Sequence, residues 1–175
     1  VAVACLRAMG VNGDQFYQGS SGLFVPAGDY FLGTTTLDLN HTLIIEGEGG
    51  GQYGGRGSKL RWTAGATGIR VQRHNTSGAQ GVIASGQNGG DGSIIRGLTL
   101  VGGHAGTEGE YHGIHLRARA VIEDCYIENF QGDGIHCNVA GDGSGGHPVG
   151  NANNCTINRV SARNCRRGLF LDGSD

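Results

Sequence analysis

The stretch DCYIENFQGDGIHCN, Asp124 to Asn138, decides the fold. Its apolar residues come in two short alternating bursts, Cys125 with Ile127 and Ile135 with Cys137, on either side of a polar turn that contains Gly132-Asp133-Gly134. Alternation of this kind reads as two strands and not as a helix. Strands so short, bordered by Gly, Asn and Asp, make sense only if the stretch is one copy of a repeat.

The neighbouring sequence supplies the copies. SIIRGLTLVGG (93–103), AVIEDCYIENF (120–130) and CTINRVSARNC (155–165) share one template. Ile95, Ile122 and Ile157 hold its first apolar position, Leu98, Cys125 and Val160 the second, and Leu100, Ile127 and Ala162 the third. Gly102, Asn129 and Asn164 share the turn that follows. After each template comes a second motif, GIHL (113–116), GIHC (134–137) or GLFL (168–171), and an earlier copy, GIRV (68–71), precedes the first. Strand–turn–strand units with fixed inward positions are the signature of a stacked solenoid. The interval from Gly113 to Gly134 is one rung of a parallel β-helix. Longer intervals elsewhere are accounted for by inserted loops at about 73–92, 103–111 and 138–153. Each repeat predicts that Ile stacks on Ile and that the residues between the apolar ones point outward.

Bulk properties narrow the class. The 175 residues are enough for one domain with a core. Glycine contributes 36 of them and proline 2, without a triplet period, so the glycine belongs to turns and loops. A net charge of −2 supplies no basic face for nucleic acid. No apolar run approaches the roughly 18 residues of a membrane span, so a soluble chain is expected. It begins at Val1 and not at Met, which points to a processed or trimmed N-terminus and leaves export open. The five Cys are odd in number and include no C-x-x-C pair, which argues against a zinc site. Cys125 and Cys137 fall at inward positions and read as core thiols, whereas pairing of Cys155 with Cys165 stays open.

GLFVPAGDYFLGTTTLDLNHTLIIEGEGGG (22–51) resembles the first turn of pectate-lyase-like right-handed β-helix proteins, the polygalacturonase-related group. Val25-Pro26-Ala27-Gly28-Asp29-Tyr30 matches that group's Val-Pro-x-Gly-x-Tyr turn. The resemblance implies an all-β, right-handed parallel β-helix of a single domain, residues 1–175, with a short N-terminal capping helix within 1–21 and rungs over 22–175. The chain stops in mid-rung at GLFLDGSD, so a truncated C-terminus is expected, covered by the remainder of a longer chain or by a homotrimer.

The outward positions are where chemistry is expected. One column holds Arg70, His115, His136 and Phe170, and the next holds Gln72, Arg117, Asn138 and Asp172. Thr67, His112, Asp133 and Arg167 occupy the corner before the strand. Planar polar groups, guanidinium and rings together suit sugars, and in the resembled family this face lines the polysaccharide cleft. Asp133 and His136 are the candidate catalytic pair. His112, His115, Arg117, Asn138, Arg167, Phe170 and Asp172 are the candidate substrate contacts. The bland alternative is a solvated face, polar as any solenoid exterior is, with Asp133 bonding its own turn. Glu108, Glu110 and His112 in TEGEYH form a carboxylate–imidazole cluster suited to acid–base work or a cation, or else a solvated loop. GEGGGQYGG (47–55) lacks a following helix with Lys and reads as a turn rather than a phosphate cradle.

The sharper family motifs are missing. The chain has no Asp-Asp pair and no Gly-His-Gly as in polygalacturonases, and no Tyr-Gly-Phe-Asp-Pro-His run as in mannuronan epimerases. Two carboxylates facing one groove would be needed for glycoside hydrolysis, and Asp133 and Asp172 lie in different columns. Two readings therefore stand. The first is a polysaccharide lyase or glycoside hydrolase working along the outward face. The second is a non-catalytic carbohydrate-binding or structural β-helix, such as a phage tailspike or surface adhesin. Both place the protein outside the cell or on a virion or cell surface, with polysaccharide or oligosaccharide as partner, and neither names a cofactor or a metal.

Overall fold

The computed structural model describes residues 21–39, 42–49, 57–71, 90, 92–103, 109–138, 152 and 154–172. Apart from Ser21, the cap expected over 1–21 lies outside the described residues, and the three expected loop insertions are described only at their margins. Ser21 itself opens the first strand.

Among the described residues there are fifteen strands and no helix, so none is long and apolar enough to cross a membrane. The strands fall into five successive triplets. They are β1 (Ser21–Val25), β2 (Gly28–Gly33) and β3 (Leu37–Leu39), then β4 (Leu43–Gly47), β5 (Ser58–Trp62) and β6 (Ile69–Val71). Next come β7 (Ser93–Arg96), β8 (Leu98–Val101) and β9 (Ile114–Leu116), followed by β10 (Ala120–Glu123), β11 (Tyr126–Glu128) and β12 (Ile135–Asn138). The last triplet is β13 (Thr156–Asn158), β14 (Ser161–Arg163) and β15 (Leu169–Asp172). Each triplet gives one strand to each of three five-stranded parallel sheets, ordered β1-β4-β7-β10-β13, β2-β5-β8-β11-β14 and β3-β6-β9-β12-β15. A strand pairs only with its counterparts one rung before and one rung after. That is the architecture of a stacked solenoid, compatible with a parallel β-helix.

The register follows the sequence template. Ile122 pairs with Ile95 on one side and Ile157 on the other, and Ile127 lies between Leu100 and Ala162. In the third sheet Ile135 pairs with Ile114 and Leu169, and Cys137 with Leu116 and Leu171. Ile45, Ile95, Ile122, Ile127 and Leu116 are fully enclosed, and Cys125 and Cys137 are buried with them. Burial pushes their thiols up, to about 11 and about 12. Cys165 carries a free thiol, so the pairing with Cys155 is not made. Trp62 and Phe130 close the middle of the core with ring centroids 5.9 Å apart. In the fifth rung the inward residues Leu169 and Leu171 stand open.

The corners explain the polar borders of the strands. Gly97, Asp124 and Arg159 all take positive φ at the same corner between the first and second sheets, and Asn129 and Asn164 do so where the second sheet ends. Asn tolerates that conformation, and its amide bonds the next copy, Asn164 Nδ2 donating to Asn129 Oδ1 at 3.1 Å. The glycines that open the GI-x-L motifs have a different cause. Gly68, Gly113 and Gly134 have no positive φ, but a Cβ on Gly113 would stand 2.4 Å from Ile127 Cγ2 and 2.7 Å from the Gly134 carbonyl. Rungs approach too closely there for any side chain.

Candidate functional site

Corner and strand of the third sheet build the site together. Parallel pairing brings Asp38, Arg70, His115, His136 and Phe170 into one outward ladder, one residue per rung. Beside it, the corner residues stack through the backbone: Gly68 N–H donates to His112 O, Gly113 N–H to Asp133 O, and Gly134 N–H to Arg167 O. The repeat thus sets His112, Asp133 and Arg167 at equivalent places in successive rungs. Of the residues singled out from sequence, it gathers His112, His115, Asp133, His136, Arg167 and Phe170 into one cluster.

Asp133 is the hub, with no exposed surface. Arg166 donates to both its oxygens, Nε to Oδ1 at 3.1 Å and Nη2 to Oδ2 at 3.0 Å. Arg167 repeats the fork at 2.7 and 3.0 Å. His136 Nδ1 approaches Oδ2 at 2.8 Å. Burial alone would raise this carboxyl, but the bonds from Arg166, Arg167 and His136 win and hold it well below the usual carboxylate range. An ionised Asp133 accepts, so His136 carries its proton on Nδ1 and its lone pair on Nε2. The Arg167 guanidinium in turn lies over the Phe170 ring, 3.3 Å from its centroid, and Phe170 is 5.2 Å from the His136 ring.

Three imidazoles pack against one another. Ring centroids are 4.2 Å apart for His112 and His136, and 5.1 Å for His115 with each of the other two. Burial drives His112 down to about 4, helped by His136 and opposed by Asp133 and Glu110. Burial likewise drives His115 down to about 3, with His112, His136 and the guanidiniums of Arg117 and Arg70 adding to it. Both rings are neutral at pH 7. His112 Nδ1 accepts the Asp133 amide N–H at 3.0 Å, which puts the ring proton on Nε2. That atom lies 3.3 Å from Glu110 Oε2 yet makes no hydrogen bond, and His115 Nε2 is also buried without one.

Donor atoms of His112, Asp133 and His136 fall within 4.8 Å of one another, close enough to suggest a metal trio. The donors are already committed. His112 Nδ1 takes an amide proton, and both Asp133 oxygens face two guanidinium forks that would repel a cation. The trio is a hydrogen-bonded charge network.

The remaining candidates lie at the edge. Arg117 follows β9 and is half-buried. Asn138 and Asp172 close their strands as a register pair. Gln72 and Glu108 lie outside the described residues, and Thr67 is buried, its hydroxyl 3.5 Å from the Glu110 carbonyl.

Sequence reasoning missed Asp38, which starts the ladder beside Arg70 at 3.3 Å, and Arg166. Asp38 was within reach, because LDL over 37–39 pairs with IRV over 69–71 as a further copy of the third-sheet strand. Arg166 sits one residue before the corner, where alternation aims it elsewhere. Its backbone stacks on Gly132, Arg166 N–H donating to the Gly132 carbonyl at 2.9 Å, and from there its guanidinium reaches Asp133. No family model, curated protein or solved structure matches the chain. The likeness to pectate-lyase-like proteins therefore rests on the residues quoted above and on the stacked parallel sheets.

Proposed function

We propose that the protein is a glycan-handling right-handed β-helix of the pectate-lyase-like kind. An acidic polysaccharide lies along the outward face of the third sheet, outside the cell or on a virion or cell surface. The Asp133–His136 pair serves there as the base of a β-elimination. The carrying observation is the 2.8 Å contact between His136 Nδ1 and Asp133 Oδ2, set within a ladder that offers successive rungs to successive sugars. The ionised carboxylate holds the His136 proton on Nδ1 and assigns the role of base to Nε2, the arrangement a general base requires. In the elimination Nε2 takes the C5 proton of a uronate, the C4–O bond breaks to give a C4=C5 double bond, and the leaving oxygen is protonated from water. Hydrolysis fits less well, because a carboxylate held ionised by two guanidiniums cannot deliver a proton to a leaving group.

One observation favours a second reading, a non-catalytic binding β-helix such as a tailspike or adhesin. His136 is only 5% exposed, as a strand residue with a structural role would be. Uronic and neutral polysaccharides, offered to the wild type and to His136→Ala and Asp133→Asn, separate the two. Elimination gives products absorbing in the ultraviolet from a uronic polymer, with turnover lower by roughly 100-fold or more in both variants. New reducing ends without that absorbance would make the protein a hydrolase. Binding without turnover establishes the second reading, and no binding across the panel removes the glycan altogether.

A further inference from the structure

Glu110 stands where two fixed donors converge. His112 Nε2 carries a proton, is buried, and has no hydrogen bond, although Glu110 Oε2 is 3.3 Å away. Arg166 commits Nε and Nη2 to Asp133 and keeps Nη1 3.6 Å from Glu110 Oε1. One N–H from a ring and one from a guanidinium thus face the two oxygens of one carboxylate, a pattern that recognises carboxylates generally. The donors and the occupant are held very differently. The His112 side chain is 1% exposed and locked by packing, whereas that of Glu110 is 78% exposed. A buried N–H without a hydrogen bond is rare in folded proteins and asks for a partner, and Glu110 stands near it without the geometry to be one.

The geometry points to a carboxylate-binding subsite formed by His112 Nε2–H and Arg166 Nη1, with Glu110 as its displaceable internal occupant and the carboxylate of an acidic sugar as its external ligand. The cradle adjoins the ladder, since the His112 ring touches those of His115 and His136. Only the identity of the sugar rests on the glycan reading; the cradle itself needs any small carboxylate. Glu110 then acts as a selectivity device. A neutral sugar cannot replace its charge over His112 and Arg166, and a uronate can.

Two variants and one monosaccharide pair test this. Glu110→Ala vacates the cradle, whereas Glu110→Gln removes the charge but leaves an oxygen in place. Binding of glucuronate, with glucose as the neutral control, is followed by the side-chain 15N resonances of His112 and by titration. Glucuronate should bind Glu110→Ala about fivefold or more tighter than it binds the wild type or Glu110→Gln, and should move the His112 Nε2 resonance, while glucose does neither. Equal gains in the two variants would reduce the effect to general charge and overturn the subsite. So would an unmoved His112 resonance at saturating glucuronate. If glucuronate behaves as expected while no polysaccharide binds the wild type, the cradle stands and the glycan reading fails. If a polysaccharide is bound but glucuronate leaves His112 of Glu110→Ala unmoved, the cradle falls and the glycan reading stands.

Discussion

Asp133 and the histidines around it set how the protein responds to acid. A carboxylate with no exposed surface persists because two arginine forks and one imidazole replace the water it lost. His112 and His115 are neutral in the fold, with pKa values near 4 and 3, whereas in the unfolded chain they titrate near 6.5. Between those values the unfolded chain binds more protons. The stability they contribute is therefore fully present above about pH 6.5 and is lost as the pH falls toward 4. Asp133 acts in the same direction lower down, its contribution disappearing below the ordinary carboxylate range. Urea denaturation at pH 7, 6 and 5 should show falling stability, by about 1.4 kcal/mol per pH unit for each proton taken up. A flat profile over that range would show that the two rings titrate normally. The sequence revealed this site unevenly. His115 and His136 were legible from alternation alone, because outward positions in a repeat are fixed by the inward ones. What Asp133 does was not legible, since a Gly-Asp-Gly turn and a buried ionic hub are spelled the same way. Only the arginines of the next rung, 33 and 34 residues away, distinguish them.

At the scale of the element, the rung is defined by what it shares with its neighbours. Ile122 lies between Ile95 and Ile157 and is fully buried, so Ile122→Ala should cost ~2–5 kcal/mol in urea denaturation. Ile157 is only partly buried, and the same change there should cost distinctly less. A loss below ~1 kcal/mol at Ile122 would show that the register is wrong. Gly113→Ala tests the close approach of rungs. Its Cβ would meet Ile127 and the Gly134 carbonyl, and the overpacking should cost roughly 1–3 kcal/mol. Wild-type stability would mean the rungs have room to give. The strand registers were readable because three templates aligned residue for residue. The reason for the motif glycines was not, because sequence cannot separate a glycine required by backbone conformation from one required by the absence of space.

At the scale of the whole molecule, the fifteen strands among the described residues form three sheets of five, and none of these strands is paired within its own rung. The same stacking that buries isoleucine on isoleucine carries Asp38, Arg70, His115, His136 and Phe170 up the outer face, so core and site are one repeat read from two sides. At roughly 4.8 Å per rung the ladder spans roughly 19 Å, the dimension of a short oligosaccharide rather than of one sugar. A ligand lying along it should gain contacts with each added unit until it outruns the ladder. Calorimetric titration with uronic oligosaccharides of increasing length measures this directly. Affinity should climb with length and then level off, and His115→Ala and Phe170→Ala, in the middle and at the end of the ladder, should each flatten the climb. Affinity independent of length, or an unchanged climb in both variants, would contradict a glycan lying along the third sheet.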